Sequence, residues 1–332
     1  MRLPKLIQSY TWLLLLAAFL ILFPVLFPSL AFVNIVSEML IMAIFAVSLN
    51  LLIGYTGLVS FGHSAFFAIG SYTTGILLQK FSATLPSALL VSLLCSMILA
   101  GIVALIVGYF CTRLTAIYFS FLTLAFSQII YTVIVKWDKL TGGDQGLVGG
   151  IPKPMIQLFG FVFPMTSPFQ LYFFILALAL ASFFTLKILT DSPFGWTLRS
   201  IRENPERMNF LGINVRKYQT IAFTLSGFFT GLSGALMALH VSGAYPDYAH
   251  WTKSAEPIFM IMVGGLRVFA GPILGAALIT QLSAYVSKYT GAWGLIFGGF
   301  LIVYLMISRE GILDVLAVKW KGFKKPSQEK SK

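Results

Sequence analysis

Catalysis needs groups that exchange protons, attack as nucleophiles or cradle phosphate, and this sequence has few of them. The three histidines, His63, His240 and His250, lack the HExxH spacing that would set two imidazoles on one helical face around zinc. Gly62-His63-Ser64-Ala65-Phe66 puts a histidine beside a serine, but it does not form the GxSxG turn that exposes a nucleophilic hydroxyl. No stretch matches GxxxxGK[ST], the loop whose backbone amides hold nucleotide phosphates. Cys95 and Cys111, if they share a helix, lie about 24 Å apart and cannot bridge. They read as two buried apolar thiols, and the pattern points away from an enzyme.

Two groups of polar residues are left to carry a function. The first is neutral and lies within apolar stretches: Asn50, Ser60, His63, Ser64, Thr123 and Gln128. Uncharged polar groups within apolar stretches are candidates to line a pathway. Ionisable side chains inside a membrane are costly and usually mark ion or proton routes. Here Glu38 and Glu256 fall near the starts of apolar segments, while Arg113, Lys187 and Arg267 fall at ends where they can snorkel. Only His63 could lie within a span, and as a single histidine it can simply be hydrogen-bonded between helices. Energy for uphill transport is therefore expected from another subunit.

The second group lies in a loop from Asp191 to Gly212. Asp191 or Ser192 can cap a helix with Pro193 in its first position. Phe194, Leu198 and Ile201 share one face of that helix, and Arg199, Arg202 and Glu203 project elsewhere. Asn204-Pro205 stops it and opens another, with Asn204 as cap and Glu206 and Arg207 in the first turn. Gly212 suits a left-handed stop. The pattern predicts two short amphipathic helices at a fixed bend. At mid-bilayer Arg199, Arg202 and Arg207 would each cost about 2.5–3.5 kcal/mol, so the loop must lie at a membrane surface. There it either orients the protein or docks a soluble partner.

The elements that must position these residues are membrane spans. Of 332 residues 58% are hydrophobic and 10% charged, against about 25% charged in soluble domains. Apolar runs predict spans near 11–32, 35–54, 58–78, 86–109, 113–136, 169–189, 218–241, 255–267, 270–287 and 292–308. The eighth is too short for a full crossing and is either a half-helix or one arm of a re-entrant pair. Loops at 137–168 and 190–217 lie outside the spans, the first extracytoplasmic and the second cytoplasmic. The net charge of +12 comes from basic residues at segment ends and in a tail, which fits a membrane face rather than nucleic acid. With the N-terminus inside, only Lys80, Lys136, Lys139, Lys153, Lys253 and Lys288 of the 23 lysines and arginines fall outside. The expected architecture is an all-α polytopic membrane protein of about ten transmembrane or half-membrane helices, with cytoplasmic N- and C-termini. A transmembrane domain would span 1–308 and a basic cytoplasmic tail 309–332. Small residues at four-residue spacing, Gly227-Gly231-Ala235, Gly271-Gly275 and Gly294-Gly298, predict close helix packing.

Four passages carry a resemblance over nearly the whole chain. They are Leu49-Asn50-Leu51-Leu52-Ile53-Gly54-Tyr55-Thr56-Gly57 through Gly70, Thr141-Gly142-Gly143 through Leu147, Arg199-Ser200-Ile201-Arg202-Glu203-Asn204 with Leu211-Gly212-Ile213, and Gly264-Gly265 with Gly271-Pro272-Ile273-Leu274-Gly275-Ala276. Together they resemble the permease family of branched-chain amino acid ABC importers, in its M-type (LivM-like) form. Arg267 and Val268 stand where the family usually has glycine and a small hydroxyl residue, and Gly149-Gly150 adds a glycine. The resemblance implies a subunit of the bacterial cytoplasmic (inner) membrane that pairs with a homologous second permease. It also implies two cytoplasmic ATPase subunits, which hold the ATP and magnesium, and an extracytoplasmic substrate-binding protein. No cofactor is implied for this chain, and membrane lipid but no nucleic acid is its surrounding partner. Loop 190–217 would be the coupling segment, acting through Arg199, Arg202, Glu203, Asn204, Pro205, Glu206, Arg207 and Gly212. The implied cargo is a branched-chain or similar amino acid. Urea or a short amide is the alternative within the class, and a secondary carrier or channel the alternative outside it.

Overall fold

The computed structural model describes residues 3–26, 29–82, 87–114, 116–147, 150–152, 155–158, 161–164, 167–289, 293–307 and 311–316. Its long helices are α1 (Leu3–Leu26), α2 (Leu30–Ile53), α3 (His63–Phe81), α4 (Ala88–Cys111) and α5 (Ala116–Lys136). A short α6 (Asp138–Thr141) and a hairpin of β1 (Met155–Leu158) with β2 (Phe161–Pro164) follow. Then come α7 (Pro168–Asp191), α8 (Pro193–Glu203), α9 (Pro205–Phe210), α10 (Val215–Val241), α11 (Trp251–Gly264), α12 (Gly271–Ser287) and α13 (Trp293–Ile307). Among the described residues five helices, α2, α4, α5, α7 and α10, are long and apolar enough to cross a membrane. The chain is a multi-pass α-helical membrane protein.

Helix α10 is the centre, packed against α2, α3 and α4. Small residues make that possible, because without a hydrophobic drive between helices in lipid, close backbone packing does the work. A side chain at Gly234 would run into the Phe67 carbonyl of α3, and one at Gly70 into the Gly231 carbonyl of α10. Gly227 and Gly231 likewise face the methyls of Ala104 and Ala100 on α4. Gly275 lies against the Met260 carbonyl, which brings α12 onto α11. The spacing in α13 misleads: at Gly294 and Gly298 nothing among the described residues comes within 4 Å.

Several boundaries differ from the expected spans. The run read as one span from 11 to 32 divides between α1, ending at Leu26, and α2, starting at Leu30. The third span begins at His63 rather than 58, because a turn after α2 uses Gly57 at φ +78 and bonds its amide to Leu52 O at 2.9 Å. The eighth and ninth spans are α11 and α12, about 21 and 25 Å long, each shorter than the roughly 30 Å hydrocarbon core. They form an antiparallel pair on α2.

The turn 265–270 between them packs near the C-terminal end of α2, where a side chain on Gly54 would meet the Leu266 carbonyl at 2.8 Å. At the same turn Asp314, only 6% exposed, accepts from the amides of Leu266 (2.9 Å), Arg267 (3.2 Å) and Val268 (3.1 Å). Residues 311–316, read as the start of a tail, are thus packed on the bundle. Residues 317–332 lie outside the described ones.

Candidate functional site

Four of the six neutral candidates, Ser60, His63, Ser64 and Thr123, sit in a seam where α2, α3, α5, α10 and α11 meet. His63 is fully buried at the start of α3. Its Nε2 lies 2.8 Å from Ser226 Oγ of α10, and its Nδ1 lies 2.8 Å from Ser60 Oγ. Ser226 Oγ donates its one proton to the Ser48 carbonyl at 2.6 Å, so it must accept from an Nε2–H. Nδ1 is then the acceptor of the Ser60 hydroxyl, whose oxygen also accepts from the Gly62 amide at 3.2 Å. The imidazole is a neutral, fully bonded clasp, edge-on to Phe66 and Phe223.

Hydroxyls close the rest of the seam. Ser64 Oγ and Ser127 Oγ are 2.8 Å apart, and both bond to the Ala249 carbonyl. The Ser64 amide donates to Ser254 Oγ of α11 at 2.7 Å. Thr123 Oγ1 donates to Ser120 O at 2.8 Å and accepts from the Phe61 amide at 3.2 Å. Asn50 is buried with Oδ1 unpartnered, and Gln128 has its Nε2 buried without a partner, both among the described residues. The structure therefore brings Ser60, His63, Ser64 and Thr123 together as helix-to-helix contacts, while Asn50 and Gln128 lie apart from their network.

The charged candidates lie at one end of the bundle. Leu198 and Ile201 of α8 are buried, and Phe194 stacks on Tyr218 with ring centroids 5.7 Å apart. The bend forms as the sequence suggests: Asn204 Oδ1 accepts from the Arg207 amide at 2.8 Å, with Pro205 in the first helical position. Gly212, at φ +81, ends α9. The expected side-chain cap at Asp191 or Ser192 is absent. Ser192 Oγ turns back to Leu189 O at 2.7 Å, and Asp191 pairs with Lys187 at 2.9 Å, because both residues still serve the end of α7.

Arg199 lies over the rings of Tyr55 (4.8 Å) and Trp196 (4.9 Å). Arg202 Nη1 donates to Gly54 O at 2.6 Å. Glu203, Glu206 and Arg207 are exposed. Between α8–α9 and the end of α2 lies a cleft of about 840 Å³, bordered by Gly57, Arg113, Arg202, Pro205, Asn209 and Arg216. Sequence reasoning gave no role to Phe210, 90% exposed at the end of α9 beside the exposed Leu211. An aromatic ring that open on a loop rich in charge was legible as a signal, since the helical face carrying Met208 leaves Phe210 no core to enter.

At the opposite end, the bridge Leu147–Ala244 ties loop 137–168 to the turn that precedes α11. Tyr248 there has its phenol pushed up by burial, with Tyr245, Glu38, Glu256 and Asp247 adding to the shift, so it stays protonated.

Comparison with known proteins places these features. Residues 31–306 match the sequence model of a family described as branched-chain amino acid transport system / permease component. The chain is 26% identical over 304 residues to the high-affinity branched-chain amino acid transport system permease protein LivM of Escherichia coli K12, covering 85% of this chain and 70% of that one. It is 25% identical over 303 residues to the probable branched-chain amino acid transport permease protein LivH of Methanocaldococcus jannaschii, covering 86% and 91%. A shorter similarity, 34% over 149 residues and 44% of each chain, joins it to the guanosine ABC transporter permease protein NupQ of Bacillus subtilis. No solved structure matches.

Proposed function

Because this chain belongs to the branched-chain amino acid transport system permease family, we propose that it is the membrane-spanning subunit of an ATP-driven importer of branched-chain or similar amino acids. The observation that carries the reading is the α8–α9 bend. It presents Glu203, Glu206, Arg207 and the ring of Phe210 to water while Leu198, Ile201 and Met208 seat it on the spans. Such a surface suits a soluble ATPase subunit better than lipid, since the exposed charges need water. We take this end and both termini to face the cytoplasm across a bacterial inner membrane, an orientation that the charge bias of the loops supports. A second permease, two ATPase subunits and an extracytoplasmic binding protein complete the assembly, and ATP with magnesium is held by the ATPase subunits.

In this reading ATP-driven motion enters at the bend and passes through Arg202 to Gly54, and so to the end of α2 and the adjoining turn 265–270. The seam of Ser60, His63, Ser64 and Thr123 is a neutral wall that parts for cargo, with Asn50 and Gln128 as flanking polar groups. The binding protein selects the cargo, so the permease needs only modest affinity.

The test is reconstitution in proteoliposomes with and without the ATPase and binding-protein partners. The assembly should accumulate leucine when ATP is supplied, and urea or a short amide should compete poorly. This subunit alone should neither hydrolyse ATP nor accumulate leucine. Uphill uptake by the lone subunit would overturn the reading in favour of a secondary carrier.

A further inference from the structure

At the end of the bundle opposite α8 a cavity of about 240 Å³ opens between the third and fourth turns of α2, the start of α11 and the end of α12. Its position follows from the helices: Glu38 is sixteen residues before Gly54 on α2, about 24 Å along the axis. Four side chains give it its chemistry. Lys253 and Glu256, one turn apart on α11, form an ion pair at 2.6 Å. Glu38 of α2 faces the same space, beside the charges of Lys253 and Glu256. Thr280 of α12 is 5% exposed, and its Oγ1 is buried without a partner among the described residues.

The charges on this wall do not cancel one another. Lys253 and Glu256 neutralise each other, leaving Glu38 as an extra carboxylate. The ammonium of Lys253 has three protons and gives one to Glu256. Thr280 holds a hydroxyl that a buried setting should not leave unpaired. The remaining wall includes the side chains of Met42, Met260 and Ile279. The cavity is smaller than the roughly 300–1,000 Å³ of drug-sized sites, so it suits a small molecule.

We propose that this cavity is a recognition subsite for an α-amino acid zwitterion with a short aliphatic side chain. The proposal rests on the importer reading above and names the part of this subunit that first meets the cargo. The ligand ammonium lies between Glu38 and Glu256. Its carboxylate accepts from a free proton of Lys253 and from the Thr280 hydroxyl. Its aliphatic group lies against Met42, Met260 and Ile279. A neutral sugar or nucleoside lacks both charges and gains nothing from Glu38.

The experiment uses the full assembly, with Cys95 and Cys111 of this chain replaced by alanine and Thr280→Cys added, and labelling is read on this chain alone, so that one thiol reports on the cavity. N-ethylmaleimide labelling is followed with L-leucine, with 4-methylpentanoate, which lacks the ammonium, and with 3-methylbutylamine, which lacks the carboxylate. Leucine should slow labelling at least fivefold, and 4-methylpentanoate should not. In the native-cysteine assembly Glu38→Gln should raise the KM for leucine uptake about tenfold, and Thr280→Val about threefold. Unchanged KM in both variants overturns the subsite, whether or not position 280 labels. Leucine protection without ATP-dependent uptake keeps the subsite and removes the importer reading. Uptake with neither protection nor a KM change does the reverse.

Discussion

Arg202 reaches across from α8 to donate from Nη1 to the carbonyl oxygen of Gly54, 2.6 Å away at the end of α2. The aliphatic stem of the same arginine lies where a side chain on Gly57 would sit, with Cγ at 3.2 Å. A charged donor on a backbone carbonyl contributes about 1.5–3 kcal/mol. In the proposed function this bond is a mechanical link between the bend and the spans. Arg202→Ala should therefore lower leucine taken up per ATP hydrolysed by roughly tenfold, the equivalent of about 1.4 kcal/mol. Parallel uptake and phosphate-release assays check it, and an unchanged ratio would assign Arg202 to packing alone.

Glu203 and Glu206 flank the bend and point to water. Replacing both by lysine makes the loop more positive, so membrane insertion and orientation should hold. Docking of the ATPase should weaken, because like charges brought together at an interface cost several kcal/mol. Copurification of the ATPase subunit with the double variant is the measurement. Normal recovery together with normal uptake would reduce α8–α9 to an interfacial anchor.

Asp314 holds three consecutive amides of the 265–270 turn. Asp314→Ala removes the shared acceptor of these part-buried amides, at a cost of about 2–4 kcal/mol for the group. Asp314→Asn keeps one acceptor oxygen and should lose about half as much. Thermal unfolding of the purified protein in detergent should rank wild type above Asp314→Asn and that above Asp314→Ala. Equal midpoints for all three would mean that the turn holds itself.

Gly234 and Gly70 let α10 and α3 touch backbone to backbone. Gly234→Ala puts a methyl against the Phe67 carbonyl, and neither helix can move without disturbing the His63 clasp. The expected loss is about 1–3 kcal/mol, in the range of overpacked cores. Gly294→Ala, in open space on α13, should be neutral within about 0.5 kcal/mol. Unfolding midpoints of the two variants provide an internal control, and equal effects would contradict the packing argument.

Much of the helical frame was legible because apolar length is a strong signal in a membrane chain. The bend was legible too, since Asn204-Pro205 and Gly212 act through local backbone chemistry. The later start of α3 was not, because a turn at Leu52–Gly57 hides inside an apolar run and only Gly57 hints at it. Asp314 was illegible for a different reason: its partners lie 46–48 residues earlier in the chain. Likewise nothing in the sequence joins Glu38, Lys253 and Thr280 until α2, α11 and α12 are brought together. Four-residue glycine spacing was informative in α10 and empty in α13, since spacing shows where a neighbour could come and not whether one does.

The clasp at His63 also bears on the membrane potential. Protons cross a bundle by hopping between groups that can both receive and release them. From Ser60 the line of hydrogen bonds passes through His63 to Ser226 and stops on the Ser48 carbonyl, which has no proton to pass on. This route is a blind alley, so while it stays closed the histidine buried in the bundle offers no leak to the proton gradient.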